Sequence, residues 1–283
     1  MLGIKKIKKS KPPQKPKEDE MSFLEHLEAL RWHIIRSLGA IVAVAIGVFI
    51  AKDFVFGTVI LGPTREDFVT YRFFCSILDS LCFHPDGLEI INRDLQENFI
   101  NHLKVSFWLG LVVAFPYVFY ELWKFIKPGL YAKEVKAARG MVFICSSLFF
   151  VGVMFGYFVI SAFAVTFLST YNLDPSIQST VTLSSLVNSM TMFTLPVGII
   201  FELPVVVYFL AKIGLVTPEF MRQYRKHAFV LILILSAILT PPDMVTQLLI
   251  AGPLYLLYEA SIIICKRVYK KQEEEERRQE KAA

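Results

Sequence analysis

The sequence predicts an all-α, polytopic membrane protein, and three observations carry that prediction. Of its 283 residues 54% are hydrophobic and 25 are Phe, and the mean hydropathy is +0.51, whereas soluble domains hold an apolar share of about 45–50%. Long apolar runs recur along the chain, separated by short polar segments. The basic residues gather at the flanks of those runs. A net charge of +5 and a pI near 8.9 therefore reflect membrane orientation, and no nucleic-acid partner is expected. Four cysteines make neither a dense disulfide framework nor a paired zinc motif. With no nucleophile–base, metal-ligand or phosphate-loop pattern either, no enzyme, cofactor or metal is expected.

Residues 1–21 read as a disordered, basic cytoplasmic tail. Seven lysines between positions 5 and 17 are mixed with Pro12, Pro13 and Pro16 and followed by Glu18, Asp19 and Glu20. The tail lacks the apolar core of a secretory signal, so it is expected to stay on the chain, near anionic membrane lipid. Residues 22–265 form the membrane domain. Ser22 and Glu25 make a capping box. Phe23, Leu27, Leu30 and Ile34 then form a stripe suited to a helix lying along the interface, with Glu25, Glu28 and Arg31 toward water, before the chain turns inward.

The first span covers about 34–54. Positions 55–98 hold Arg65, Arg72 and Arg93 against Glu66, Asp67, Asp79, Asp86, Glu89, Asp94 and Glu97, and this acidic loop belongs outside. Pro63 is a structural position in it. Cys75 and Cys82, also in this loop, are either bridged or two free thiols. The second span is about 99–123. The third run, about 140–169, has no charge and is longer than a bilayer core requires, so it tilts or projects outward.

The fourth span, about 186–210, contains Glu202, whose carboxylate must face protein or water rather than lipid; Pro204 frees a backbone carbonyl and bends the helix there. Lys212, Arg222, Arg225 and Lys226 mark an inside loop, in which Thr217 and Pro218 start a helix. The last two spans, about 228–239 and 248–264, are short, which predicts a thinned bilayer or a concave bundle. Between them Pro241, Pro242 and Asp243 make a rigid outside turn, with Asp243 as a structural cap for the sixth helix. Residues 266–283 read as a charged, solvated helical tail on the cytoplasmic side. Six spans result, with N-terminus and C-terminus both inside.

The second and third spans are joined by a basic elbow, Tyr120 to Arg139. Pro128 and Gly129 break the arriving helix, and Lys124, Lys127, Lys133, Lys136 and Arg139 place the turn in the cytoplasm. Glu121 and Glu134 are the acids of this elbow. A carboxylate among cations, beside Trp123, Phe125 and Tyr131, is a candidate site for a cationic peptide.

Four segments together resemble the TatC family, the multi-spanning receptor subunit of the twin-arginine protein translocase: Glu25 to Arg31, Phe125 to Glu134, Phe201 to Pro204, and Leu239 to Gln247. The resemblance implies a bacterial inner-membrane protein that binds the twin-arginine signal peptides of folded cargo. It also implies assembly with TatA- or TatB-like single-span proteins, as a homo-oligomer within a hetero-complex, for export driven by the proton-motive force. By that resemblance the signal site draws on Glu134, Arg31, Phe125 and Tyr131. Glu134 has a plain alternative as a salt-bridge partner of neighbouring lysines, and Arg31 as an interface anchor. The family's acid directly before Leu-Arg is here Ala29, and Glu28 is its nearest substitute, about 100° away around the helix. Glu202 and Gln247 are implied as intramembrane polar or partner contacts, with a structural hydrogen bond as the rival role for Glu202. A proton-coupled transporter of a small solute, with Glu202 as its site, is the alternative function; no internal repeat of the transporter kind is visible.

Overall fold

The computed structural model describes residues 23–77, 85, 88–126, 140–170, 174, 180–239 and 244–282. Within them the apolar runs are helices: α1 (Phe23–Ile50), α2 (Val69–Ile77), α3 (Glu97–Ile126), α4 (Met141–Phe155) and α5 (Ala162–Thr170), followed by α6 (Leu183–Ile200), α7 (Leu203–Lys212), α8 (Pro218–Gln223), α9 (Arg225–Leu239) and α10 (Met244–Ala282). A π turn, Gly156–Ser161, joins α4 to α5 without a break in the rod. Five stretches have the length and composition to cross a membrane, at residues 27–50, 97–126, 141–170, 183–212 and 246–275. The remaining apolar helix, α9, has 15 residues, about 22 Å at the rise of an α-helix and short of a hydrocarbon core of about 30 Å.

α1 lies along α3 as an antiparallel hairpin, and α3 packs in turn on α4 and α6. One core is built where these helices meet, from Val105, Trp108, Val112, Phe149, Leu186 and Met190. A second core gathers Ile160, Phe193, Val197, Ile232, Ile250 and Leu254 between α5, α6, α9 and α10. The approach of α4 to α6 is set by glycines on facing surfaces. A Cβ on Gly156 would lie 2.4 Å from the Phe193 carbonyl oxygen, and one on Gly152 would lie 2.9 Å from Gly198 Cα. Small residues at that spacing let two backbones touch where no water-driven force acts between helices.

Pro204 bends the fourth apolar run as its chemistry requires. The rod stops at Ile200, turns through Phe201 and Glu202, and resumes as α7 with Pro204 in its first turn. The Glu202 carbonyl accepts from Val205 N at 2.9 Å and Val206 N at 3.1 Å, so the turn keeps its backbone satisfied despite the missing proline donor. Thr217 caps α8 by accepting from Phe220 N at 3.1 Å, with Pro218 at the first helical position.

Two clamps close the end of the bundle at which α3 begins. Pro63 is buried in a short 3-10 turn, and the Tyr71 hydroxyl of α2 donates to its carbonyl at 2.6 Å. Thr166 Oγ1 in turn donates to Tyr71 at 3.2 Å, and burial pushes the phenol up to about 12. At the other clamp Ile90–Ile91 and Val181–Thr182 pair as a two-residue parallel ladder. Beside it Glu97 accepts from Arg93 N at 2.6 Å and from Ser184 N at 2.8 Å, tying the start of α3 to the start of α6.

Two expectations are corrected. The interfacial helix and the first span are one uninterrupted helix, Phe23–Ile50, because no proline interrupts that stretch and its two glycines lie deeper in the rod. Of the two C-terminal helices only α9 is short: α10 continues past Ile264 for a total of 39 residues. Ion pairs one turn apart sustain it in the charged tail, Arg277 with Glu273 at 2.6 Å and Lys270 with Glu274 at 3.9 Å.

Candidate functional site

The end of the α1–α3 hairpin where α1 begins and α3 ends carries a polar pair that the two helices create by packing. His33 of α1 faces Glu121 of α3, with Nδ1 at 2.6 Å from Oε2. An ionised carboxylate only accepts, so the hydrogen sits on Nδ1. The Glu121 side chain is 2% exposed. Lys124, one turn on, holds Oε1 at 3.5 Å and rests 4.4 Å over the Tyr120 ring. Phe125 meets the imidazole edge-to-face, with centroids 6.2 Å apart. Below this cluster an apolar groove of about 290 Å³ runs between the helices, lined by Leu30, His33, Ile34, Leu38, Leu122 and Phe125 among others.

Of the expected signal-site residues, Phe125 therefore stands beside the pair. Arg31 and Glu28 are exposed on α1, and Glu28 is rotated by about 140° from His33 around that helix. Glu134, Tyr131 and Pro128 lie outside the described residues, as do Asp243 and Cys82. Cys75 is disulfide-bonded, while Cys145 and Cys265 are buried free thiols.

A second polar position lies deeper. The bend before Pro204 sets Glu202 by the C-terminal part of α3 and by α7, where a groove of about 400 Å³ is lined by Phe119, Trp123, Val205, Phe209 and Lys212 among others. Both carboxylate oxygens of Glu202 are shut off from solvent, and neither meets a hydrogen-bond partner among the described residues. The Cys145 thiol lies beside it. Gln247, in contrast, uses its amide within the chain, donating to the Leu233 carbonyl at 3.2 Å and so holding α10 against α9. At the start of α9, Arg225 pairs with Glu259 of α10 at 2.8 Å, a second tie between those helices, and Tyr255 of α10 donates to the same carboxylate at 3.2 Å.

The His33–Glu121 pair, the Glu97 clamp and the Tyr71 clamp are not apparent from motif reading, because each joins residues more than eighty positions apart. The one local signal for the first is an acid in the last turns of an otherwise apolar helix. Among the described residues no three His, Cys, Asp or Glu side chains are placed to hold a metal ion.

Comparison with known proteins converges on one family. The family model for Sec-independent protein translocase protein (TatC) matches residues 25–253. A TatC from Blattabacterium sp. subsp. Periplaneta americana is 37% identical over 263 residues, covering 90% of this chain and 99% of that one. TatCy of Bacillus subtilis is 30% identical, covering 90% of this chain and 92% of its own. The crystal structure of the twin-arginine translocase receptor TatC superposes with a TM-score of 0.69 at 29% identity, covering 87% of this chain and all of that chain. The protein thus has the sequence, length and helix arrangement of a multi-pass translocase component, and it belongs to the TatC family.

Proposed function

We propose that this chain is the receptor core of a twin-arginine translocase in a bacterial inner membrane. It binds the paired arginines of signal peptides on folded cargo and gathers single-span TatA- or TatB-like partners for export driven by the proton-motive force. The observation that supports this most is the match along nearly the whole chain to a solved twin-arginine translocase receptor. In this reading the chain crosses the membrane six times with both ends inside, so α9 spans a locally thinned bilayer. The stretch 127–139 then faces the cytoplasm, and Glu134, Tyr131 and Arg31 serve the signal peptide.

The chemistry suits that task. A guanidinium offers a fixed fork of donors that matches a carboxylate, and two adjacent arginines are selected by acids set close together. Glu202, buried without a hydrogen-bond partner among the described residues, is the intramembrane position that a partner helix or water would satisfy. Cys75 is assigned Cys82 as its disulfide partner in the outside loop. A solute transporter built on Glu202 has no support from the family match.

Site-specific cross-linking of a twin-arginine precursor to the full chain in membranes tests the reading. Glu134→Ala is expected to reduce the cross-link about tenfold or more, the loss of a charge-assisted pair, at unchanged membrane level of the protein. Undiminished cross-linking would refute the assignment.

A further inference from the structure

We propose that Glu121 is a carboxylate for a cargo guanidinium, occupied by Lys124 until an arginine displaces it. This rests on the receptor reading above and adds a residue that discriminates arginine from lysine.

The carboxylate has one fixed and one loosely used edge. His33 Nδ1 holds Oε2 at 2.6 Å, and the imidazole is itself braced by Phe125, so the orientation of the acid is set. Oε1 faces Lys124 Nζ at 3.5 Å, well beyond the roughly 2.7–2.9 Å of a formed charge-assisted bond. Lys124 is 42% exposed and already rests over the Tyr120 ring at 4.4 Å. That ring lets the ammonium leave the acid without losing its neighbour. Lys124 is the cation on Oε1 that a cargo arginine would displace, and the Tyr117 hydroxyl, one turn back, also bonds the carboxylate. Ala29, one turn nearer the N-terminus than His33 and on the same face of α1, puts no side chain beyond its Cβ over the approach.

The exchange favours arginine for a geometric reason. A cargo lysine replaces one point-charge ammonium with another and gains little. A guanidinium places a directed N–H at full bonding distance on Oε1 while its flat face stacks on Phe125. The acid that Glu28 cannot present to this face, being about 140° around the helix from His33, is thus delivered across the hairpin from α3.

Binding of synthetic signal peptides carrying Arg-Arg or Lys-Lys, measured on the full chain in native membrane vesicles, tests the exchange. Glu121→Gln, which retains an acceptor for His33, is expected to weaken Arg-Arg binding about tenfold and Lys-Lys binding much less, so that the preference collapses. Lys124→Gln, at an exposed position that leaves the fold intact, is expected to strengthen Arg-Arg binding severalfold. If Glu134→Ala abolishes binding while Lys124→Gln leaves it unchanged or weaker, the exchange is overturned and the receptor reading stands. If the unaltered chain binds neither peptide, both are overturned.

Discussion

At the scale of single residues, position and partner decide what each polar group can do. Glu121 and Glu202 are both carboxylates in apolar helices, yet one is held by an imidazole and the other meets no hydrogen-bond partner among the described residues. The first is fixed in orientation by its neighbour, and the second is a demand that something else must meet. Glycine carries the opposite message, since its value at position 156 is the absence of a side chain. Gly156→Ala forces a methyl group to within 2.4 Å of the Phe193 carbonyl, a backbone atom that cannot step aside cheaply. The expected cost is about 1–3 kcal/mol, typical of overpacking, seen as a lower Tm of the detergent-purified protein; an unchanged Tm would show that α4 and α6 do not approach so closely.

Helix ends and bends account for most of what was legible beforehand. Pro204 announces its bend because a missing N–H cannot be hidden, and Thr217 with Pro218 announces a helix start for the same local reason. The course of α1 was less legible. Whether a capped, amphipathic segment turns at the membrane surface or runs straight in depends on packing against α3. The charged tail was legible as helical, and pairs such as Arg277 with Glu273 hold it so. The Glu97 clamp was hidden altogether, since Ser184 is 87 positions away and no periodicity relates the two. Its role is testable. Glu97→Ala leaves the Arg93 and Ser184 amides without their acceptor, at an expected cost of about 1–3 kcal/mol, whereas Glu97→Gln retains one acceptor oxygen and should cost less. Equal thermal stability of the two variants in detergent would show that Glu97 does not join α3 to α6.

At the scale of the whole molecule, the apolar share and the basic flanks suffice for a polytopic helical protein, and four short segments in order suffice for the family. The site was only half legible. The elbow and Glu134 stand in the sequence, but His33 and Glu121 come together only because α1 and α3 pack in one particular register, which hydropathy does not encode. Everything proposed for the function requires the elbow between the second and third spans to face the cytoplasm, where its lysines and arginine keep it. Paired reporters fused after Lys136 test this most directly, one fluorescent only in the cytoplasm and one enzymatically active only after export. Fluorescence without enzymatic activity is the expected result, and enzymatic activity without fluorescence would contradict the orientation and, with it, the signal-peptide site.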